Sequence, residues 1–156
     1  MIPAKRRTVM PAVDLGGTKI ALAFVDADSP GKSALEYPST EVVRVKGRTD
    51  ANRTLRRVAE LIRKKTREVE KMGWLVLRLV GMGAPGLYGD DGRVDPRTVP
   101  NIPGLAGKKP ANVLEGLLGK GWKVHINNDG LVQAVASADA FVRSPVPARV
   151  FAHFLP

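Results

Sequence analysis

The chain has 156 residues, enough for one domain with a core of its own. Hydrophobic residues make up 44% and charged residues 26%, an ordinary balance for a globular fold, and the lack of cysteine excludes disulfides and cysteine-ligated zinc within it. The formal net charge of +10 is scattered and aromatics are only 5%, so a solvated basic surface is expected rather than a nucleic-acid partner.

His125 and His153 lie far apart without ligand spacing, so no histidine metal site is expected. Lys5-Arg6-Arg7 is not followed by a long apolar segment, which argues against a signal peptide. The longest apolar stretch, 74–80, is interrupted by Arg78 and is far too short to span a bilayer. A cytoplasmic protein with no membrane partner is the expectation.

Two apolar runs, 9–13 and 20–25, read as strands flanking Asp14-Leu-Gly-Gly-Thr-Lys19. Gly16 and Gly17 make a tight hairpin whose backbone can approach a ligand closely. Successive N–H groups there suit an anion, with Thr18 adding a hydroxyl and Lys19 a charge. Asp14 would repel a phosphate directly, but fits beside one if a hydrated Mg²⁺ lies between them. An ordinary Gly-Gly hairpin explains the dipeptide alone.

Residues 26–32 contain Pro30-Gly31 and read as a turn, and 36–46 read as a third strand completing an antiparallel meander. From Leu55 to Met72, apolar residues recur at helical period, with Thr49 and Asp50 as caps and Gly73 as the stop. The basic outer face of this helix reads as solvated rather than as a nucleic-acid surface. Residues 75–81 read as a buried strand parallel to the first. The next stretch, Gly81-Met-Gly-Ala-Pro-Gly86, matches the dinucleotide pattern literally, yet Pro85 and further turn residues follow where that pattern must open a helix. Residues 86–109 form a long irregular stretch whose apolar members Leu87, Val94, Val99, Ile102 and Leu105 argue against simple disorder. A short helix at 110–118, a strand at 123–126 ending in Asn127-Asn128-Asp129, a helix at 130–141 and a strand at 149–155 complete the order.

The hexapeptide Asp14 to Lys19 resembles the first phosphate motif of the actin-like ATPase superfamily, in the form carried by ROK-family (repressor, open reading frame, kinase) sugar kinases. Gly83-Ala-Pro-Gly86, followed by Gly92-Arg93-Val94 and Asn101-Ile-Pro-Gly104, resembles that family's sugar-side loop, and Asn128-Asp129 its catalytic motif. The resemblance implies an α/β, ribonuclease H-like lobe: a mixed sheet with an antiparallel β-meander, then parallel strands, and flanking helices. It also implies ATP-dependent phosphorylation of a hexose, glucose first, with ATP and Mg²⁺. Asp129 would be the general base; Asp14, Gly16, Gly17, Thr18 and Lys19 would hold phosphate and Mg²⁺. Gly92, Arg93, Asn101, Asn128 and Asp129 would meet the sugar. From the residues alone, Asp129 also suits a helix N-cap, and turn chemistry accounts for Gly92 and Arg93 equally well.

Departures from the family pattern shape the remaining expectations. Leu105 stands where a tryptophan is common, and the helix after Asp129 offers Ser137 and Asp139 in place of the usual glutamate. The family's second lobe, with its Glu and His sugar ligands, zinc motif and adenosine pocket, has no counterpart here, so structural zinc is expected only in that lobe. Residues 1–145 are expected to form the amino-terminal lobe and 146–156 to begin the second, leaving this chain inactive alone. The strand at 149–155, lacking its partner, is expected to promote self-association. The repressor branch would need a DNA-binding segment that the thirteen residues before the motif cannot supply. The rival reading is a non-catalytic actin-like binding or assembly module.

Overall fold

Strands β1 (Thr8–Leu15) and β2 (Lys19–Asp26) pair antiparallel from Val9 opposite Asp26 to Leu15 opposite Ile20. The computed structural model describes residues 7–27, 41–44, 50–100 and 102–128, with 41–44 described as backbone. Alternation sets the faces of the hairpin. Val9, Val13, Leu15, Ile20, Leu22 and Phe24 are buried on one side, while Ala12, Asp14, Ala21 and Ala23 point to the other. β3 (Glu41–Arg44) extends the meander antiparallel to β2, inside the expected 36–46; the rest of that range lies outside the described residues.

Helix α1 (Ala51–Lys71) packs against the buried side of the hairpin. Asp50 caps it, accepting from the N–H of Arg53 at 3.1 Å. Leu55, Val58, Leu61, Ile62 and Val69 form its inward stripe, each worth about 1.5–3 kcal/mol when fully buried. Gly73 ends it as expected, while Thr49 lies outside the described residues.

The strand expected at 75–81 is in fact two pieces, β4 (Leu75–Val76) and β5 (Leu79–Ala84), both parallel to β1. Thr8 lies opposite Leu75 but Ala12 opposite Gly81, so four steps on β1 face six on its partner. Leu77-Arg78 is the resulting bulge, tied to β1 by the Leu77 N–H to Val9 carbonyl bond of 2.8 Å. Helix α2 (Pro110–Leu118), with proline at its start, then returns the chain to β6 (Lys123–Asn128), parallel to β5. β6 runs two residues beyond the expected 123–126 because Asn127 and Asn128 pair with Gly83 and Ala84.

The sheet order is β3-β2-β1-β5-β6, with β4 also on β1. Both helices cover the same face, where Leu114, Leu118, Trp122 and Val124 join the main core. This is the mixed sheet with antiparallel meander, parallel strands and flanking helices that the sequence implies. The stretch 86–109 is folded rather than structureless: Tyr88 bridges Val94, two 3₁₀ turns occupy Pro96–Thr98 and Pro103–Leu105, and Val94, Val99, Ile102 and Leu105 are buried. Leu87 is the exception, 59% exposed. The expected helix at 130–141, the strand at 149–155 with its self-association, and the boundary at 145 all fall outside the described residues. Among the described residues, no helix is long and apolar enough to cross a membrane.

Replacing Asp50 with alanine is expected to lower the unfolding free energy by about 1 kcal/mol, because the Arg53 N–H loses its acceptor. A urea melt should show a lower midpoint at unchanged slope.

Candidate functional site

The parallel pairing of β1, β5 and β6 brings three sequence features to one sheet edge. Asp14 stands opposite Gly83, and Gly83 opposite Asn127, so the three form a row at the carboxyl ends of the strands. With strands spaced about 4.8 Å apart, the row spans roughly 10 Å between its outer Cα atoms. Residues opposite one another share a face, and Asp14 is exposed on the side away from α1 and α2. The next row inward is Ala12, Gly81 and His125. Glycine at 81 and 83 leaves a shallow trough of about 430 Å³ there, bordered by Ala12, His125 and Asn127.

Beyond Asp14 the hairpin closes through the Gly16 N–H to Lys19 carbonyl bond of 2.9 Å, leaving Gly17 and Thr18 at the tip. Thr18 and Lys19 are exposed beside Asp14, as an anion site requires. Gly16 is not demanded by the fold. A β-carbon there would meet nothing closer than the Lys19 carbonyl oxygen at 3.4 Å, an ordinary contact. The open backbone is therefore available to a ligand. Among the described residues no cluster of three His, Cys, Asp or Glu side chains forms a metal cage. Asp14 suits an ion that keeps most of its own waters, as Mg²⁺ does.

Asn128 ties the second and third motifs together. Its side-chain Nδ2 donates to the Gly86 carbonyl at 2.9 Å, so the end of β6 holds the start of the long loop. Gly86 has φ +109°, and a β-carbon there would sit 2.5 Å from Val99 Cγ1 and 3.1 Å from Val94 Cγ1. The fold itself requires this glycine. Next to it, Leu87 N–H donates to Thr98 Oγ1 at 2.8 Å, and that hydroxyl donates to the Asp95 carbonyl at 2.8 Å. Asp95 in turn receives the Arg97 backbone N–H at 3.0 Å and its guanidinium at 2.7 Å. Those bonds, the guanidinium first, hold the Asp95 carboxyl down at about 2.

The loop tip, with Gly92 at φ +75°, carries Arg93, whose Nη1 donates to the Gly107 carbonyl at 2.7 Å and whose Nε lies 3.6 Å from Asp91. The described contacts of Arg93 thus brace the loop. Asn101 and Asp129 lie outside the described residues, although Asp129 is bonded directly to Asn128. The sequence reading missed Asn127 and His125 as members of the open face. The signal was present: two positions apart on one strand, they share a side.

No protein-family model and no curated protein matches this chain. Solved structures do. The ROK hexokinase from Thermus thermophilus is 30% identical, with a TM-score of 0.59 over 78% of this chain and 35% of that one. The inorganic polyphosphate/ATP-glucomannokinase from Arthrobacter sp. strain KM is 22% identical, with a TM-score of 0.62 over 84% of this chain and 48% of that one. The glucokinase from Balamuthia mandrillaris, solved with glucose, is 20% identical, with a TM-score of 0.50 over 90% of this chain and 35% of that one. The chain therefore spans about a third to a half of the length of these structures.

Two glycine substitutions separate fold from site. Gly86→Ala should destabilise the chain by about 2 kcal/mol or more, through the positive φ and the clash with Val99. Gly16→Ala should leave the melting temperature nearly unchanged, because a β-carbon there meets only ordinary contacts; thermal melts of both variants check the contrast.

Asp95 gives a pH signature. Its folded pKa is depressed, so its bracing is complete above the ordinary value of 3.8 and is lost as pH falls towards about 2. The backbone amides of Arg97 and Thr98 should titrate with a midpoint near the lower value, and Asp95→Asn should abolish the transition.

Proposed function

We propose that this chain, which has the fold of the ROK-family sugar kinases over most of its length, forms the hexose-binding and catalytic wall of an ATP-dependent hexose kinase. One observation carries the reading. The row Asp14, Gly83, Asn127 sets the Gly-Gly turn beside the strand end that leads into Asp129. The names of the neighbours, a hexokinase, a glucomannokinase and a glucokinase solved with glucose, point to a hexose and make glucose the first candidate.

In this reading the hairpin N–H groups, the Thr18 hydroxyl and the Lys19 ammonium hold donor phosphates, and Asp14 holds Mg²⁺ through water. The bound ion supplies neutralisation of the charge on the phosphate oxygens. Asn128 and Asn101 orient sugar hydroxyls, with Gly92 and Arg93 contributing from the loop. Asp129 accepts the proton of the attacking hydroxyl as its oxygen bonds to the γ-phosphorus and the bond to ADP breaks. Donor and acceptor must be held in line, and this chain contributes one wall of that clamp. The other wall corresponds to the part of the neighbours' length that the chain does not span.

The test is a coupled assay with glucose and mannose against ATP, with inorganic polyphosphate as a second donor. The chain alone should turn over well below about 1 s⁻¹, the low end for kinases. Completed by a second lobe of the neighbours' type, it should phosphorylate a hexose, and Asp129→Asn should then cut kcat by about 10²–10⁴ with little change in sugar Kd. Near-normal turnover in that variant would reduce Asp129 to a helix cap. Binding without turnover in the completed protein would favour the assembly module.

A further inference from the structure

The opposite end of the sheet carries a second pit that the kinase reading does not use. It opens between the C-terminal half of α1 and the start of β5 and β6, with a volume of about 210 Å³. β5 separates it from the row Asp14, Gly83, Asn127 by roughly 16 Å, at 3.3 Å per residue. The bulge between β4 and β5 creates one wall, and the turn before β6 creates another.

Three arginines line this pit. Arg63 and Arg67 come from adjacent turns of α1, and Arg78 comes from the bulge. Arg63 is fixed by donating its Nη1 to the Leu117 carbonyl at 2.8 Å, and Arg78 lies over the Trp122 indole with its Cζ 5.4 Å from the ring centroid. Glu70 is the one carboxylate in the lining, so three positive groups face one negative group. Among the described residues neither Arg67 nor Glu70 makes an ion pair. The floor holds Thr66, only 5% exposed, whose Oγ1 has no hydrogen-bond partner.

A buried hydroxyl without a partner is rare in native folds, and three exposed arginines against one carboxylate leave the rim net positive. One class of ligand answers both. A tetrahedral oxyanion accepts from planar guanidinium donors and from a hydroxyl at once, and its charge matches the excess on the rim. We infer that this pit binds a phosphate group, either as inorganic phosphate or as the phosphate end of a small phosphomonoester. The site lies at the far edge from the proposed catalytic wall, so the inference stands whether or not the kinase reading does.

The sequence contains two tryptophans, and Trp74→Phe leaves Trp122 as the sole reporter in the full chain. Its fluorescence is titrated with inorganic phosphate in one arm and glucose 6-phosphate in another, against chloride at matched ionic strength. A saturable change with phosphate or phosphomonoester, absent with chloride, is expected. The arm that binds tighter identifies the source, free ion or phosphorylated metabolite. Arg67→Gln and Thr66→Val, each added to Trp74→Phe, should weaken binding by about tenfold or more, the size of a lost hydrogen bond to a charged group. Lys19→Ala should leave the signal intact, because the hairpin is at the other edge. Thermal melts confirm that each variant is folded. The inference is overturned by a flat titration in the folded reporter, by a folded Thr66→Val variant that binds like its parent, or by loss of the signal in Lys19→Ala.

Discussion

The parallel pairing of β1 with β5 is the constraint on which the rest of the site depends. It rests largely on the backbone ladder, because the open side of β5 carries Leu79 at its start and then only Gly81 and Gly83, which have no side chains to lock it in place. Its rigidity comes from the other side, where Val80 and Met82 are buried with Val13, Leu15 and the stripe of α1. A crossover helix must return each new strand in the same direction as the last. The carboxyl ends of β1, β5 and β6 therefore collect at one edge, where α/β sheets typically bind ligands.

The excess of positive charge is distributed unevenly in its effects. Exposed helix pairs such as Arg57 with Glu60 and Lys65 with Glu68 are solvated contacts, each worth little. Other basic groups shape local structure. Arg97 and Arg93 brace the long loop through carboxylate and carbonyl partners, and Arg63 links α1 to the end of α2. A count of lysines and arginines cannot distinguish these uses, since they depend on which carbonyl or carboxylate the fold brings within reach.

Local signals made much of the fold legible in advance. Apolar runs located β1 and β2, a helical period located α1 and an opening proline located α2, and glycine and aspartate marked their ends, because caps and turns are decided by neighbours along the chain. The bulge at Leu77-Arg78 was not legible, since it depends on the offset between two pairings with β1. The extra length of β6 depends likewise on β5. At the site, the hairpin motif could be read directly. The juxtaposition of Asp14 with Asn127 could not, because it arises only when three strands come into register. The long loop was the hardest stretch: its apolar residues showed that it was folded, yet its order rests on non-local bonds such as Val94 N–H to the Lys108 carbonyl.

The bond from Asn128 to Gly86 is made to a main-chain carbonyl, and that choice of acceptor has an evolutionary consequence. A carbonyl is present whatever residue occupies a position, so the anchor imposes no requirement on the side chains beyond it. Within the loop, the exposed side chains of Leu87 and Asp90 are free to drift in sequence, while Tyr88 stays packed on the core and Gly92 keeps its positive φ. Changes at those two positions leave the anchor, and the strand it holds, under separate selection.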